Sequence, residues 1–482
     1  MLPTIMTADL HTLIPELFVC AAAFALLMVD LFLSPQRRGL THFLALLILV
    51  AAAVLTAREG IEKVQTFAFS HFFVRDTAGD VLKMALYGVT ALVFVYAKPY
   101  LQDRDLFKGE FHVLVLFAML GMMLMISAQG LVTLYLGLEL LALSSYGLVA
   151  MDRDNPIASE AAMKYFILGS LASGLLLYGM SMIYGATGSL QLDEIHAAVA
   201  SSNDHTMLLF GVVFMLVGIA FKFGAAPFHM WLPDVYEGAP TAITLFIGSA
   251  PKLAAFAMAY RLLESGTGPV DAQWRVMVAW LAALSLVLGN LIALVQGNFK
   301  RLLAYSTISH VGFLFMGLAA ANNTGYAAAM FYAISYAITA AAAFAAIILL
   351  SRRGFEADKV SDFRGLWQKH PLQALLVLFV MASLAGVPPF LGFWAKLAVI
   401  QAALVGGMVW LAVLSVICAV IGAYYYLRII RAMFFEEAEG DGPVLNADSH
   451  LRVVFTLNAT ALLVLGIFAE PIMHWCQLAF PA

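Results

Sequence analysis

Residues 218–240 read GIAFKFGAAPFHMWLPDVYEGAP, and the reading of this stretch decides the fold. An apolar run carries a lysine, Lys222, and is then cut by Pro227, with Pro233 and Pro240 beyond. Proline has no N–H to give a helix and crowds the preceding turn. In a bilayer the carbonyls so freed must find water or side chains, so a span of this kind breaks and lines a cavity. Residues 383–396, SLAGVPPFLGFWAK, repeat the pattern with Gly386, Pro388, Pro389 and Gly392 around a second interruption. Pro227-Phe228 and Pro389-Phe390 correspond, with Lys222 before the first pair and Lys396 after the second. Two interrupted segments at matching places in two halves are the sign of an inverted repeat.

The rest of the chain agrees with a membrane bundle. Of 482 residues, 63% are hydrophobic and only 12% charged, about half the charge of a soluble domain. The net charge of -4 and the lack of a basic patch give no reason to expect nucleic acid. Cys20, Cys418 and Cys476 lie far apart and form no iron–sulfur or metal spacing, so no metal and no redox centre is expected in this chain. The first sixteen residues, MLPTIMTADLHTLIPE, lack the cationic start of a signal peptide, so the first apolar segment is expected to be a retained span.

Apolar runs predict spans at 11–33, 39–57, 78–97, 110–128, 130–150, 158–185, 206–225, 240–262, 274–296, 298–319, 325–350, 371–404, 407–434 and 452–478. The expected fold is therefore an all-α polytopic membrane protein of fourteen transmembrane helices with two interrupted helices. With the N-terminus outside, sixteen Lys and Arg fall in inside loops, from Arg37 to Arg452, and five in outside loops: Arg58, Lys63, Arg75, Arg261 and Arg275. That bias predicts both termini on the outer side of the membrane. The 26 basic residues less sixteen and five leave Lys83, Lys164, Lys222, Lys252 and Lys396, all within spans.

A lysine facing lipid opposes insertion by roughly 2.5–3.5 kcal/mol, so these side chains are expected to point inward. Burial disfavours a charged ammonium and a nearby carboxylate favours it, so moving a carboxylate relative to a lysine switches its hold on a proton. Glu139, in LYLGLELLALSSYGL (134–148), is the acid nearest a span centre and the natural partner; a static pair that fixes helix packing is the alternative. Lys252 follows Pro251 in LFIGSAPKLAAF (245–256), where Gly248 and Ser249 leave room for water. His310, in RLLAYSTISHVGF (301–313), sits in the tenth span, the mirror counterpart of the span bearing Glu139, beside hydroxyls that could hold water. His229 lies seven residues after Lys222, on the same face if the helix continued, and could relay protons or brace the break. Lys164 follows Glu160 by four residues, beyond an Asn155-Pro156 helix start, as a relay or a helical ion pair. Lys83, near the start of the third span, is expected to reach the interface.

PFHMWLPDVYEGAPT (227–241), KRLLAYSTISHVGF (300–313) and SLAGVPPFLGFWAK (383–396) resemble the antiporter-like membrane subunits of respiratory complex I. The likeness runs over nearly the whole chain. PDVYEGAP after the first break, and a chain ending soon after the fourteenth span without room for a long lateral helix, resemble one of the shorter members. The resemblance implies two inverted five-helix repeats. The expected divisions are 1–109 (three N-terminal helices), 110–262 (first repeat), 263–435 (second repeat) and 436–482 (last helix). It also implies a pair between Glu139 and Lys222, a connecting Lys252, a central His310 and a terminal Lys396. Pro251 directly before the eighth-span lysine departs from the family pattern. NADH, FMN, iron–sulfur clusters and quinone are implied to belong to other subunits. The partners implied are a neighbouring antiporter-like subunit and small membrane subunits.

The function that follows is outward proton translocation through the buried Glu, Lys and His residues, driven by quinone reduction elsewhere in the complex. Three other readings compete: an Mrp-type cation/proton antiporter subunit, a non-conducting scaffold and a quinone site. Sodium wants several oxygen ligands, which one central acid among lysines supplies poorly. Nothing in the sequence marks an amphipathic quinone pocket.

Overall fold

A computed structural model of the chain describes residues 9–58, 65–202, 204–438 and 442–481. Lys63, counted above among the outside cations, lies outside the described residues, as do residues 1–8 of the N-terminal stretch and Ala482. Among the described residues thirteen helical stretches are long and apolar enough to cross a membrane, and two shorter apolar helices cover the predicted twelfth span.

The helices in chain order are α1 (Ile14–Leu31), α2 (Gly39–Ala57), α3 (Thr77–Asp103), α4 (Gly109–Ile126), α5 (Leu131–Val149), α6 (Pro156–Thr187), α7 (Leu192–Ser201), α8 (Thr206–Phe223), α9 (Trp231–Gly238) and α10 (Thr241–Ser249). They continue as α11 (Pro251–Tyr260), α12 (Asp271–Ala293), α13 (Phe299–Ala319), α14 (Asn323–Leu350), α15 (Leu366–Lys369), α16 (Pro371–Ala385), α17 (Leu391–Val405), α18 (Val409–Phe435), α19 (Ser449–Ile467) and α20 (Glu470–Ala479). Local chemistry sets several starts. Asn155 accepts from the Ile157 N–H ahead of Pro156, and Asp76 and Asn298 cap α3 and α13 in the same manner.

The bundle has a distinct centre. The apolar windows of the α10–α11 stretch, α13 and α14 are each 94% buried, against 28% for α1 and 33% for α19. Helices wrapped on every side by protein are where polar side chains escape lipid, and Lys252 and His310 lie on them.

The 371–404 run is interrupted where its sequence predicts, into α16 and α17, because Gly386 to Pro389 cannot hold helical bonds. Two features differ from the sequence expectation. The last run is also divided, into α19 and α20. Between α2 and α3 a hairpin pairs β1 (Thr66–Ala68) antiparallel to β2 (Phe73–Arg75), with Thr66 opposite Arg75. Strands of three residues are too short to show a period, so the sequence reads as loop.

Lys83 is a correction. It does not reach the interface: its side chain is 1% exposed and its Nζ lies 2.5 Å from Glu16 Oε1. The pair joins α1 to the start of α3, and no spacing within one helix announces it.

Candidate functional site: two helix breaks, each seating a lysine

The first break follows Phe223. Gly224 takes a left-handed conformation (φ 75°), which ends α8; its N–H caps the Phe221 carbonyl, and the Phe223 carbonyl is left without a helical partner. Side chains from elsewhere add to this end. Trp231 Nε1 donates to the Phe221 carbonyl at 2.9 Å, and Lys252 Nζ donates to the Phe223 carbonyl at 2.7 Å. On the far side of the break the Ala226 N–H donates to Ser285 Oγ at 2.9 Å. Pro227 lies within the break, and Pro251 opens α11 with Lys252 directly after it. Lys252 is 2% exposed.

The second break repeats this construction. α16 ends at Ala385, and Gly386 is left-handed (φ 83°). Lys396, on α17, donates to the carbonyls of Leu384 and Ala385 at 2.9 Å each. The Gly392 N–H donates to Ser383 Oγ at 3.2 Å, and the Phe313 ring lies 5.1 Å from the ammonium. Pro388 and Pro389 fall in the break. Each break thus presents the negative end of a half-helix, and each holds a buried lysine head against it.

His310 bridges two tyrosines. Nδ1 lies 2.6 Å from Tyr332 Oη and Nε2 3.1 Å from Tyr426 Oη, which in turn lies 2.5 Å from Ser306 Oγ. A void with room for about one water runs from His310 past Ser335, Thr339 and Ser383 to Leu384, whose carbonyl holds Lys396. Ser335 Oγ has no hydrogen-bond partner among the described residues, as suits a group that faces such a water.

Glu139 and Lys222 are arranged differently. The Glu139 charge acts on Lys222, but no direct ion pair joins them among the described residues, and Glu139 Oε1 is unpartnered. Both are only half-buried, and Leu136 and Leu143 beside Glu139 are exposed. This end of the series lies near an outer face of the chain. Lys252 connects to it through the backbone, since its carbonyl acceptor belongs to the residue after Lys222. Lys252 and His310 share no hydrogen-bonded group among the described residues.

The two relay candidates separate. Lys164 pairs with Glu160 at 2.8 Å and with Asp234 on α9 at 2.7 Å; Asp234 and Glu237 also bind Arg301, at 3.0 and 2.8 Å. This network ties α6 and α13 to the segment after the first break. His229 does not share a helical face with Lys222, because residues 224–230 leave the helix.

Sequence reasoning missed Lys300. Placed among inside-loop cations, it is 4% exposed and donates to the Ala239 carbonyl, between α9 and α10, at 2.6 Å. It also missed the tyrosines around His310 and the Tyr336–Thr307 bond of 2.7 Å. Tyr332 and Tyr336, four apart on a span near its centre, were a signal available in principle.

The sequence profile described as NADH:quinone oxidoreductase/Mrp antiporter, TM, matches residues 128–422. A relative from Xanthomonas euvesicatoria pv. vesicatoria, NADH-quinone oxidoreductase subunit N, is 58% identical over 98% of this chain and 97% of its own. One of the same name from Thioalkalivibrio sulfidiphilus is 52% identical over 96% and 97%. Among solved structures, a chain of respiratory complex I from Thermus thermophilus superposes with a TM-score of 0.81 at 32% identity, covering 96% of this chain and 99% of that one. A chain of the Mrp complex from Dietzia sp. shares the fold, with a TM-score of 0.84 at 22% identity over 98% and 97%. The chain belongs to the NADH:quinone oxidoreductase/Mrp antiporter family of polytopic membrane subunits, on the branch of the NADH-quinone oxidoreductase N subunits.

Proposed function

We propose that this chain is a proton-translocating membrane subunit of an NADH-quinone oxidoreductase, a translocase complex whose redox chemistry resides in other subunits. The observation that carries the reading is the matched pair of broken helices, each with a buried lysine seated on its freed carbonyls. A carbonyl accepts from an ammonium and also from a neutral amine, so the head stays in place whether or not it has given up a proton. Such a seat suits proton exchange. A permanent structural charge would instead be served by a carboxylate, as Lys83 is by Glu16.

In this reading Lys222 and Lys252 take protons from the inside, with Glu139 setting the charge balance at Lys222. His310 and the adjoining void pass them to Lys396, which releases them outward. Lys164 and His229 lie beside the first break as inlets. Residues 110–262 and 263–435 form the two inverted repeats, and the paired helices α16 and α17 make the fourteenth crossing. The half-exposed Glu139 face is covered by a neighbouring membrane subunit, through which the energy of quinone reduction arrives. The chain sits in the bacterial inner membrane with both termini outside.

Glu139→Gln and Lys252→Ala, each built into the assembled complex, test this. In inverted membrane vesicles, dye-monitored proton uptake should fall to a small fraction of the unsubstituted rate, with assembly unchanged on native gels. Full pumping by both variants would make the chain a scaffold. The close superposition on an Mrp chain supports a second reading, cation/proton antiport; sodium-dependent proton release by the isolated subunit in liposomes would favour it.

A further inference from the structure

Where α12 and α18 run side by side, their outward faces form an apolar groove that opens at one end beneath a cationic basin. The two helices pack together and are tied at that end by Arg428, which donates to the carbonyls of Leu294 (2.9 Å) and Gln296. Val420, Tyr424 and Leu427 recur at helical spacing along an exposed stripe of α18, and Leu291 on α12 and Val295 just past its end are exposed. The stripe continues into Arg431, whose side chain is 68% exposed.

The basin above is lined by four cations, Lys359, Arg364, Arg428 and Arg431, and two carboxylates, Glu237 and Glu436. The carboxylates do not neutralise it. Glu436 is divided between Arg364 and Arg431, at 2.8 and 3.0 Å, and Glu237 is bound by Arg301. Arg428 meets only neutral carbonyls, and the Lys359 ammonium has no ion pair among the described residues. A groove of hydrocarbon quality topped by four cations against two carboxylates, one of them already bound by Arg301, selects an amphiphile with an anionic head. Guanidinium groups hold phosphate oxygens in bidentate fashion.

We infer that this groove binds an anionic phospholipid, its acyl chain along Tyr424, Leu427 and Val295 and its phosphate against Arg431, Arg428 and Lys359. The site is independent of the proton route and stands whether or not the chain pumps. The cations select the head, since a zwitterionic lipid brings its own positive group to the same basin.

The test uses the intact complex in nanodiscs doped with phosphatidylglycerol carrying a photoactivatable group on its acyl chain. Crosslinks mapped by mass spectrometry should fall on 420–427 and 291–295. They should exceed those from the matching phosphatidylcholine about tenfold, as a difference of one to two charges at an anionic surface gives. The Lys359→Gln/Arg431→Gln variant should lose that excess, and Arg431→Lys should retain most of it. Equal labelling by the two lipids, labelling unaffected by the double variant, or competition by inorganic phosphate alone would each overturn the inference. So would absence of label because a protein neighbour fills the groove.

Discussion

A lysine amine on a backbone carbonyl and a lysine amine on a carboxylate are different devices, and both occur here. Lys252 and Lys396 sit on carbonyls, while Lys83 sits on Glu16 with both side chains within 2% of full burial. The second arrangement should behave as a structural pair. Removing one partner of a buried pair leaves a naked charge and costs about 3–5 kcal/mol, whereas replacing both with apolar residues is often neutral. Glu16→Gln is therefore expected to lower the thermal stability of the purified complex, and Glu16→Leu/Lys83→Leu to recover most of it. Equal losses in the single and double variants would show that the pair's charge is not what matters. Lys252→Met has a different signature: it leaves the Phe223 carbonyl unsatisfied, about 1–3 kcal/mol, and removes the exchangeable proton. Lys252→Arg keeps the bond but cannot release a proton near neutral pH. The two variants should differ in stability and agree in lost pumping, read as melting temperature beside dye quench.

At the scale of the element, the breaks depend on glycines that take positive φ. Gly188, Gly224 and Gly386 all adopt it, at 73°, 75° and 83°. Alanine in that region costs about 1–2 kcal/mol from its own backbone strain. Their surroundings differ. A Cβ at Gly188 meets nothing within 4 Å, while one at Gly386 lies 2.7 Å from Lys396 Cδ and 3.2 Å from its Nζ. Gly188→Ala should thus lower stability alone, and Gly386→Ala should also unseat Lys396 and impair pumping. Measuring melting temperature and proton uptake on both variants separates strain from displacement. The prolines and glycines made both breaks legible in the sequence. The short hairpin and the division between α19 and α20 were not legible, because neither carries a run long enough to show periodicity.

Across the whole molecule, charged contacts between distant loops respect the predicted sides. Arg261 meets Asp76 at the end assigned outside, and Arg353 meets Asp105 at the end assigned inside. Arg364 meets Glu436, also inside. With the bundle's ends sorted in this way, labelling can fix the absolute orientation. Thr324→Cys is expected to react with an impermeant maleimide added to intact cells, and Asp154→Cys only after the membrane is opened. The reverse pattern would invert the topology and the direction of the route. The candidate site itself was partly legible. Glu139, Lys222, Lys252, His310 and Lys396 stand out because ionisable residues are rare in apolar runs. Lys300 did not, since it lies one residue inside its helix and counts as a loop cation until α9 and α10 close over it.

By itself the sequence determined the class of fold, the near-positions of the apolar runs and the two breaks. Those follow from transfer free energies and from the missing N–H of proline, which act over a few neighbouring residues. Tertiary structure alone decided what each charge rests on: Lys252 and Lys396 on carbonyls, Lys83 on Glu16, and His310 between two tyrosines. Those partners lie between 11 and 116 residues away along the chain, and only helix packing brings them within hydrogen-bonding distance.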